Sequence, residues 1–105
     1  MNVLVLDPRG EFYRFVLVCA GHDCRRMDSL HGFGDWVPDV VITEVKLKSG
    51  NGFRACMELK KLYLGVKVIF LTKSDRKIFR NYAHIVGASS YILKPVGLVQ
   101  LLSLI

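Results

Sequence analysis

Asp7, Glu44, Thr72 and Lys94 each stand at the end of an apolar run that would otherwise bury them. Asp7 follows Asn2-Val3-Leu4-Val5-Leu6. Glu44 closes Val40-Val41-Ile42-Thr43. Thr72 closes Val66-Lys67-Val68-Ile69-Phe70-Leu71, and Lys94 follows Ser90-Tyr91-Ile92-Leu93. Two carboxylates, a hydroxyl and an ammonium are the groups that hold a cation or an anion and stabilise charge during a transfer. If these runs are parallel strands of one sheet, all four side chains reach the same edge, where open α/β sheets place their chemistry. A plain ion pair between Glu44 and Lys94, closing the top of the sheet, is the competing explanation.

The elements that must position these residues can be read from the pattern. Short runs rich in β-branched residues, such as 39–44 after Pro38, read as strands buried on both faces. Residues 9–20 carry Phe12, Phe15, Val16 and Cys19 at helical spacing, with Gly21 as a stop. Residues 22–27 have room for a short second strand. Asp28 or Ser29 then caps a brief helix through Leu30 to Trp36, weakened by Gly32 and Gly34. After the turn signal Ser49-Gly50-Asn51-Gly52, a helix starts near Gly52 or Phe53. Phe53, Cys56, Met57, Lys60 and Leu64 lie near one stripe, and Gly65 ends the helix. Ser74 caps the next helix, which carries Ile78, Phe79, Tyr82, Ile85 and Val86 and ends at Gly87. Val96 to Ile105 forms a final short helix. Strand and helix thus alternate about five times, which predicts a parallel sheet covered by helices on both faces.

Composition narrows the classes. The chain has 105 residues, suited to one core, and 51% of them are hydrophobic, which disfavours disorder. No apolar run approaches the roughly 18–20 residues of a membrane helix, so no membrane partner is expected. The N-terminus lacks a basic leader, and Cys19, Cys24 and Cys56 show no Cys-x-x-Cys spacing, which favours reduced thiols and a cytoplasmic location. Cys19 and Cys56 are expected as small core residues. His22, His31 and His84 lack metal-ligand spacing, and no glycine-rich phosphate loop is present. The net charge of +6 gives a field that favours an anionic partner, with dispersed solvated surface charge as the alternative. Lys46, Lys48, Lys73, Arg76 and Lys77 all leave the third and fourth strands on the edge that carries Glu44, and form a possible anion rim.

These residues, in this order, resemble the receiver domain of bacterial two-component response regulators. The resemblance covers nearly the whole chain. It rests on Asp7, on Pro38-Asp39-Val40-Val41-Ile42-Thr43-Glu44, on Gly52 eight residues later, and on Thr72, Gly87-Ala88, Tyr91, Lys94 and Pro95. It implies a flavodoxin-like (CheY-like) α/β three-layer sandwich with a five-stranded parallel sheet in the order 2-1-3-4-5, here with shortened second and fifth helices. It also implies a mechanism: an aspartate ending strand three accepts a phosphoryl group from a histidine kinase. Two acidic residues after strand one hold Mg²⁺ with that aspartate. Threonine and lysine bind the phosphoryl oxygens, and an aromatic on strand five, here Tyr91, follows the threonine inward.

The departures bear directly on that mechanism. Glu44 stands where the family has the acceptor aspartate, Pro8 replaces the second acid, Lys73 occupies a usually small position, and Lys48 replaces a proline. Asp7, Thr72, Lys94 and Tyr91 are retained. Pro8 offers no metal ligand, so Mg²⁺ binding is expected to be lost or weak, with no catalytic residue, no metal and no other cofactor. Glu44 is expected to project toward Lys94 and Thr72, either fixing the switch in one state or serving as a structural ion pair. The domain, residues 1–105, is expected to be the N-terminal part of a longer regulator with a DNA-binding or other output domain. It would act through a protein partner or as a homodimer, by the face of the fourth helix, fifth strand and fifth helix. Two alternatives stay open: a receiver phosphorylated at a non-standard site, and a basic anion- or nucleic-acid-binding module.

Overall fold

The computed structural model describes residues 1–32 and 34–105. Five strands, β1 (Asn2–Leu6), β2 (Asp23–Met27), β3 (Val40–Thr43), β4 (Lys67–Thr72) and β5 (Ser90–Leu93), form one parallel sheet in the order β2-β1-β3-β4-β5. Helices α1 (Glu11–Cys19), α2 (Gly52–Leu62), α3 (Lys77–Ile85) and α4 (Leu98–Ser103) complete the described secondary structure. This is the flavodoxin-like order that the resemblance implied.

Side-chain alternation along the central strands explains the layers. Leu4, Leu6, Val41, Val68 and Phe70 point to one face and pack with Phe53, Ala55, Cys56 and Leu59 of α2 and Ala83 of α3. Val3, Val5, Ile42 and Leu71 point to the other and meet Leu17 of α1 and Leu101 of α4. Both faces are covered, so β1, β3 and β4 are buried almost throughout and must be apolar on both sides.

Four local expectations are corrected. Residues 28–32 and 34–38 form bends, turns and irregular backbone, not the short helix expected over Leu30–Trp36; position 33 of that stretch lies outside the described residues. Gly34 takes φ +65°, which a helix does not accommodate. In α1 the sheet-facing side carries Tyr13, Val16 and Leu17, whereas Phe12, Phe15 and Cys19 are exposed. The expected stripe was therefore about one position out of phase. α2 ends at Leu62, before Gly65, and Leu64 lies almost wholly in solvent. Ser74 does not cap α3, because that helix begins three residues later, with Arg76 as its N-cap.

Two glycines bring backbone segments close at the carboxyl edge of the sheet. A Cβ on Gly52 would lie 2.3 Å from the carbonyl oxygen of Glu44 and 2.9 Å from both Phe70 and Thr43. One on Gly10 would lie 2.6 Å from Val5. Only glycine lets α2 and the β1–α1 turn approach the strands this closely. The Asn51 side-chain oxygen accepts a hydrogen bond from Arg54 N–H at 2.9 Å and so caps α2.

Candidate functional site

The backbone carries the sheet's hydrogen bonding one residue past the strands, and this aligns the polar residues. Asp7 N–H donates to Met27 O at 3.0 Å, Glu44 N–H to Leu6 O at 2.9 Å, and Lys94 N–H to Thr72 O at 2.8 Å. Asp7, Glu44 and Lys94 thus emerge side by side from β1, β3 and β5, while Thr72 ends β4.

Lys94 stands at the centre. Its ammonium donates to Asp7 Oδ2 at 2.7 Å and lies 3.2 Å from Glu44 Oε2. The Asp7 and Lys94 side chains are only 5% and 9% exposed, so this pairing is made away from bulk water. The remaining carboxylate oxygens are engaged by local backbone. Asp7 Oδ1 accepts Arg9 N–H at 2.8 Å, and Glu44 Oε1 accepts the N–H of its neighbour Val45 at 2.7 Å. Burial acts to lower the Lys94 pKa, but the hydrogen bond and charge of Asp7, with those of Glu44, outweigh it. The ammonium is held above its ordinary value.

Thr72 Oγ1 accepts Ser74 N–H at 3.3 Å. The expected approach of Glu44 to Lys94 is present, but no hydrogen bond joins Glu44 to Thr72 among the described residues. Tyr91 is fixed from three sides. Its hydroxyl donates to Ser74 O at 2.6 Å, its ring stacks on Phe70 with centroids 6.0 Å apart, and the Arg80 guanidinium lies 5.0 Å from its ring centroid. Burial raises its pKa.

A depression of about 770 Å³ opens above these residues. Asp7, Glu44, Thr72 and Lys94 line it, as do Lys46, Lys48 and Lys73 of the expected rim. Arg76 and Lys77 do not: Arg76 lies over the Phe79 ring at 4.9 Å, and Lys77 opens α3. Arg9, Tyr13 and Ser74 also line the depression, although sequence patterning did not single them out for it. The Lys94 ammonium lies 5.6 Å from the Tyr13 ring centroid, and burial raises the Tyr13 pKa against the opposing effect of Lys94. Helical spacing read in the other phase would have found Tyr13; Arg9 gives no signal beyond following Pro8.

A five-stranded parallel sheet in this order, with acidic, hydroxyl and ammonium residues meeting at its carboxyl edge, is a flavodoxin-like fold with a polar site where its strands end. The chain belongs to the response regulator receiver domain family, whose pattern matches residues 18–105. Among solved structures it is similar to the Vibrio cholerae chemotaxis protein CheY4, with a TM-score of 0.88, 20% identity, and 98% of this chain and 93% of that one covered. It is also similar to a response regulator receiver domain protein from Clostridium thermocellum (TM-score 0.81, 27% identity, 95% and 86% covered). A two-component response regulator from Clostridium difficile shares the fold (TM-score 0.83, 16% identity, 98% and 90% covered).

The family implies Mg²⁺, which takes six oxygen ligands in nearly ideal octahedral geometry. The donors here do not fit it. All four oxygens of Asp7 and Glu44 already face N–H groups or the Lys94 ammonium, and Pro8 contributes no side-chain oxygen. Among the described residues no three His, Cys, Asp or Glu side chains group as a metal site.

Proposed function

We propose that this receiver domain works without aspartyl phosphorylation, as a protein-interaction module whose switch is held by an internal ion triad. One observation carries the reading: the Lys94 ammonium sits between Asp7 and Glu44, at 2.7 and 3.2 Å. A side chain that binds phosphoryl oxygens in the family is engaged here by a glutamate standing in the place of the acceptor. Glu44 is one methylene longer than aspartate, which lets its carboxylate reach Lys94 while its other oxygen folds back on Val45. Without a divalent ion, phosphoryl transfer lacks its main charge neutraliser.

The face we assign to partner contact is α3, β5 and α4. On this face Leu98, Val99 and Leu102 of α4 are exposed apolar side chains and Arg80 of α3 lies over the Tyr91 ring, which supports contact with a protein partner or a second copy; exposed Tyr82 and Ile85 of α3 turn instead toward Met57 of α2. Tyr91, on the strand between them, is locked through Ser74, which couples that face to the segment leaving β4. Among the described residues no helix is long and apolar enough to cross a membrane.

The test is incubation with a small-molecule phosphodonor and Mg²⁺, read by intact mass, beside sedimentation of wild type and Glu44→Gln. We expect no phosphoryl adduct on the wild type and an altered self-association or partner binding in the variant. A covalent adduct overturns phosphorylation independence. Unchanged association and partner binding in Glu44→Gln overturns the switch role of Glu44.

A further inference from the structure

We propose that the depression at the carboxyl edge of the sheet binds a small polyanion, a phosphorylated molecule with two or more phosphate groups, in place of a divalent cation. This rests on the reading above that no divalent ion sits between Asp7 and Glu44. The argument begins with charge. Five cations, Arg9, Lys46, Lys48, Lys73 and Lys94, line the depression against two carboxylates, Asp7 and Glu44. Lys94 already serves both carboxylates, so Arg9, Lys46 and Lys73 are left to act outward, with Lys48 sharing its charge with Asp28. None of Arg9, Lys46, Lys48 and Lys73 forms an ion pair among the described residues, whereas Arg14, Arg26, Arg54 and Arg80 each do. Four of the basic side chains that form no ion pair meet at this one concavity, and like charges brought together there favour a multiply charged anion.

The shape selects a small ligand. The volume of about 770 Å³ lies within the range of small-molecule sites. A nucleic-acid strand would need a basic stripe that follows its backbone, and Arg76 and Lys77, which would extend one, lie outside the depression. Polar and apolar groups complete the lining. The buried Thr72 hydroxyl accepts from Ser74 N–H and keeps its own proton to donate, and Pro8, Tyr13 and Leu47 offer surface to an uncharged portion of the ligand.

The probe is inorganic pyrophosphate added to the ¹⁵N-labelled domain in Mg²⁺-free buffer containing a chelator. Saturable NMR shifts are expected at residues 7–10, 44–48 and 72–74. Affinity should fall about tenfold as NaCl rises from about 20 to about 200 mM, because the screening length around exposed charges contracts from about 20 Å to about 7 Å over that range. The double variant Lys46→Gln/Lys73→Gln should weaken binding about tenfold or more, and Lys77→Gln should leave it unchanged. Absent or scattered shifts overturn the proposal, as does a double variant that binds like the wild type. Binding of an acidic peptide without pyrophosphate overturns it too, by assigning the site to a protein. Failure of the phosphorylation-independent reading is seen separately, as a phosphoryl adduct in Mg²⁺; pyrophosphate failure alone leaves that reading standing.

Discussion

Replacing Lys94 with Met removes the cation between Asp7 and Glu44 while keeping most of the side chain's volume. Asp7 has a side chain only 5% exposed, and the variant leaves it as a buried carboxylate beside a second one. Removing one partner of a buried pair typically costs about 3–5 kcal/mol, far more than the pair's net worth, because the remaining charge stays desolvated. Urea denaturation followed by circular dichroism at neutral pH should show a loss of that size. The Asp7→Asn/Lys94→Met double variant should recover part of it, with a coupling of about 1–3 kcal/mol. The pH dependence has a fixed sign. The Lys94 pKa in the folded state is raised above its ordinary value of 10.5. Its contribution is therefore complete below that ordinary value and is lost as pH rises through the higher folded one. The gap between wild type and Lys94→Met should accordingly be constant from neutral to mildly alkaline pH and close in strong alkali. A loss below about 1 kcal/mol, typical of a solvated surface pair, would refute the triad as the feature that holds this edge together.

Other outcomes follow from single contacts. Gly52→Ala places a methyl group 2.3 Å from Glu44 O, so it should lower stability by about 1–3 kcal/mol and shift the amide resonances of Glu44 and Val45; unchanged melting would contradict the close approach. Tyr91→Phe loses the hydrogen bond to Ser74 O, at a cost of about 0.5–1.5 kcal/mol. Faster amide exchange across residues 73–76 should accompany it, and unaltered exchange would show that Tyr91 does not tether this loop. Alkylation of the native protein should label exposed Cys19 and spare Cys24 and Cys56, because burial raises both thiols, that of Cys24 to about 11; rapid native labelling of Cys24 would contradict its packing in the core.

The sheet edge was legible because buried parallel strands announce themselves as apolar runs, so a polar residue that ends one is conspicuous. Asp7, Glu44, Thr72 and Lys94 needed no knowledge of the helices, only that parallel strands end on one side. The α1 phase was harder to read. Phe12, Tyr13, Phe15, Val16, Leu17, Val18 and Cys19 are apolar around most of the helix, and periodicity cannot choose between two stripes. Tyr13 therefore escaped as a site residue. Arg9 and Ser74 reach the depression through loop geometry, which tertiary packing sets. Of the basic residues read from the sequence, Lys46, Lys48 and Lys73 line the depression, while Arg76 turns onto Phe79 as the chain enters α3. Between β2 and β3, Asp28 and Ser29 looked like helix caps. They serve elsewhere, Asp28 pairing with Arg26 and Ser29 Oγ accepting Ser49 N–H at 2.6 Å.

The most direct test of the central claim is an NMR titration with Mg²⁺ and beryllofluoride, run on the wild type and on the Pro8→Asp/Glu44→Asp variant that restores the family's acids. The account predicts no shifts near Thr72, Tyr91 and Lys94 in the wild type and saturable shifts at those residues in the variant. Saturable shifts in the wild type would show that Lys94 yields its place to a metal and a phosphoryl mimic, and would contradict the account.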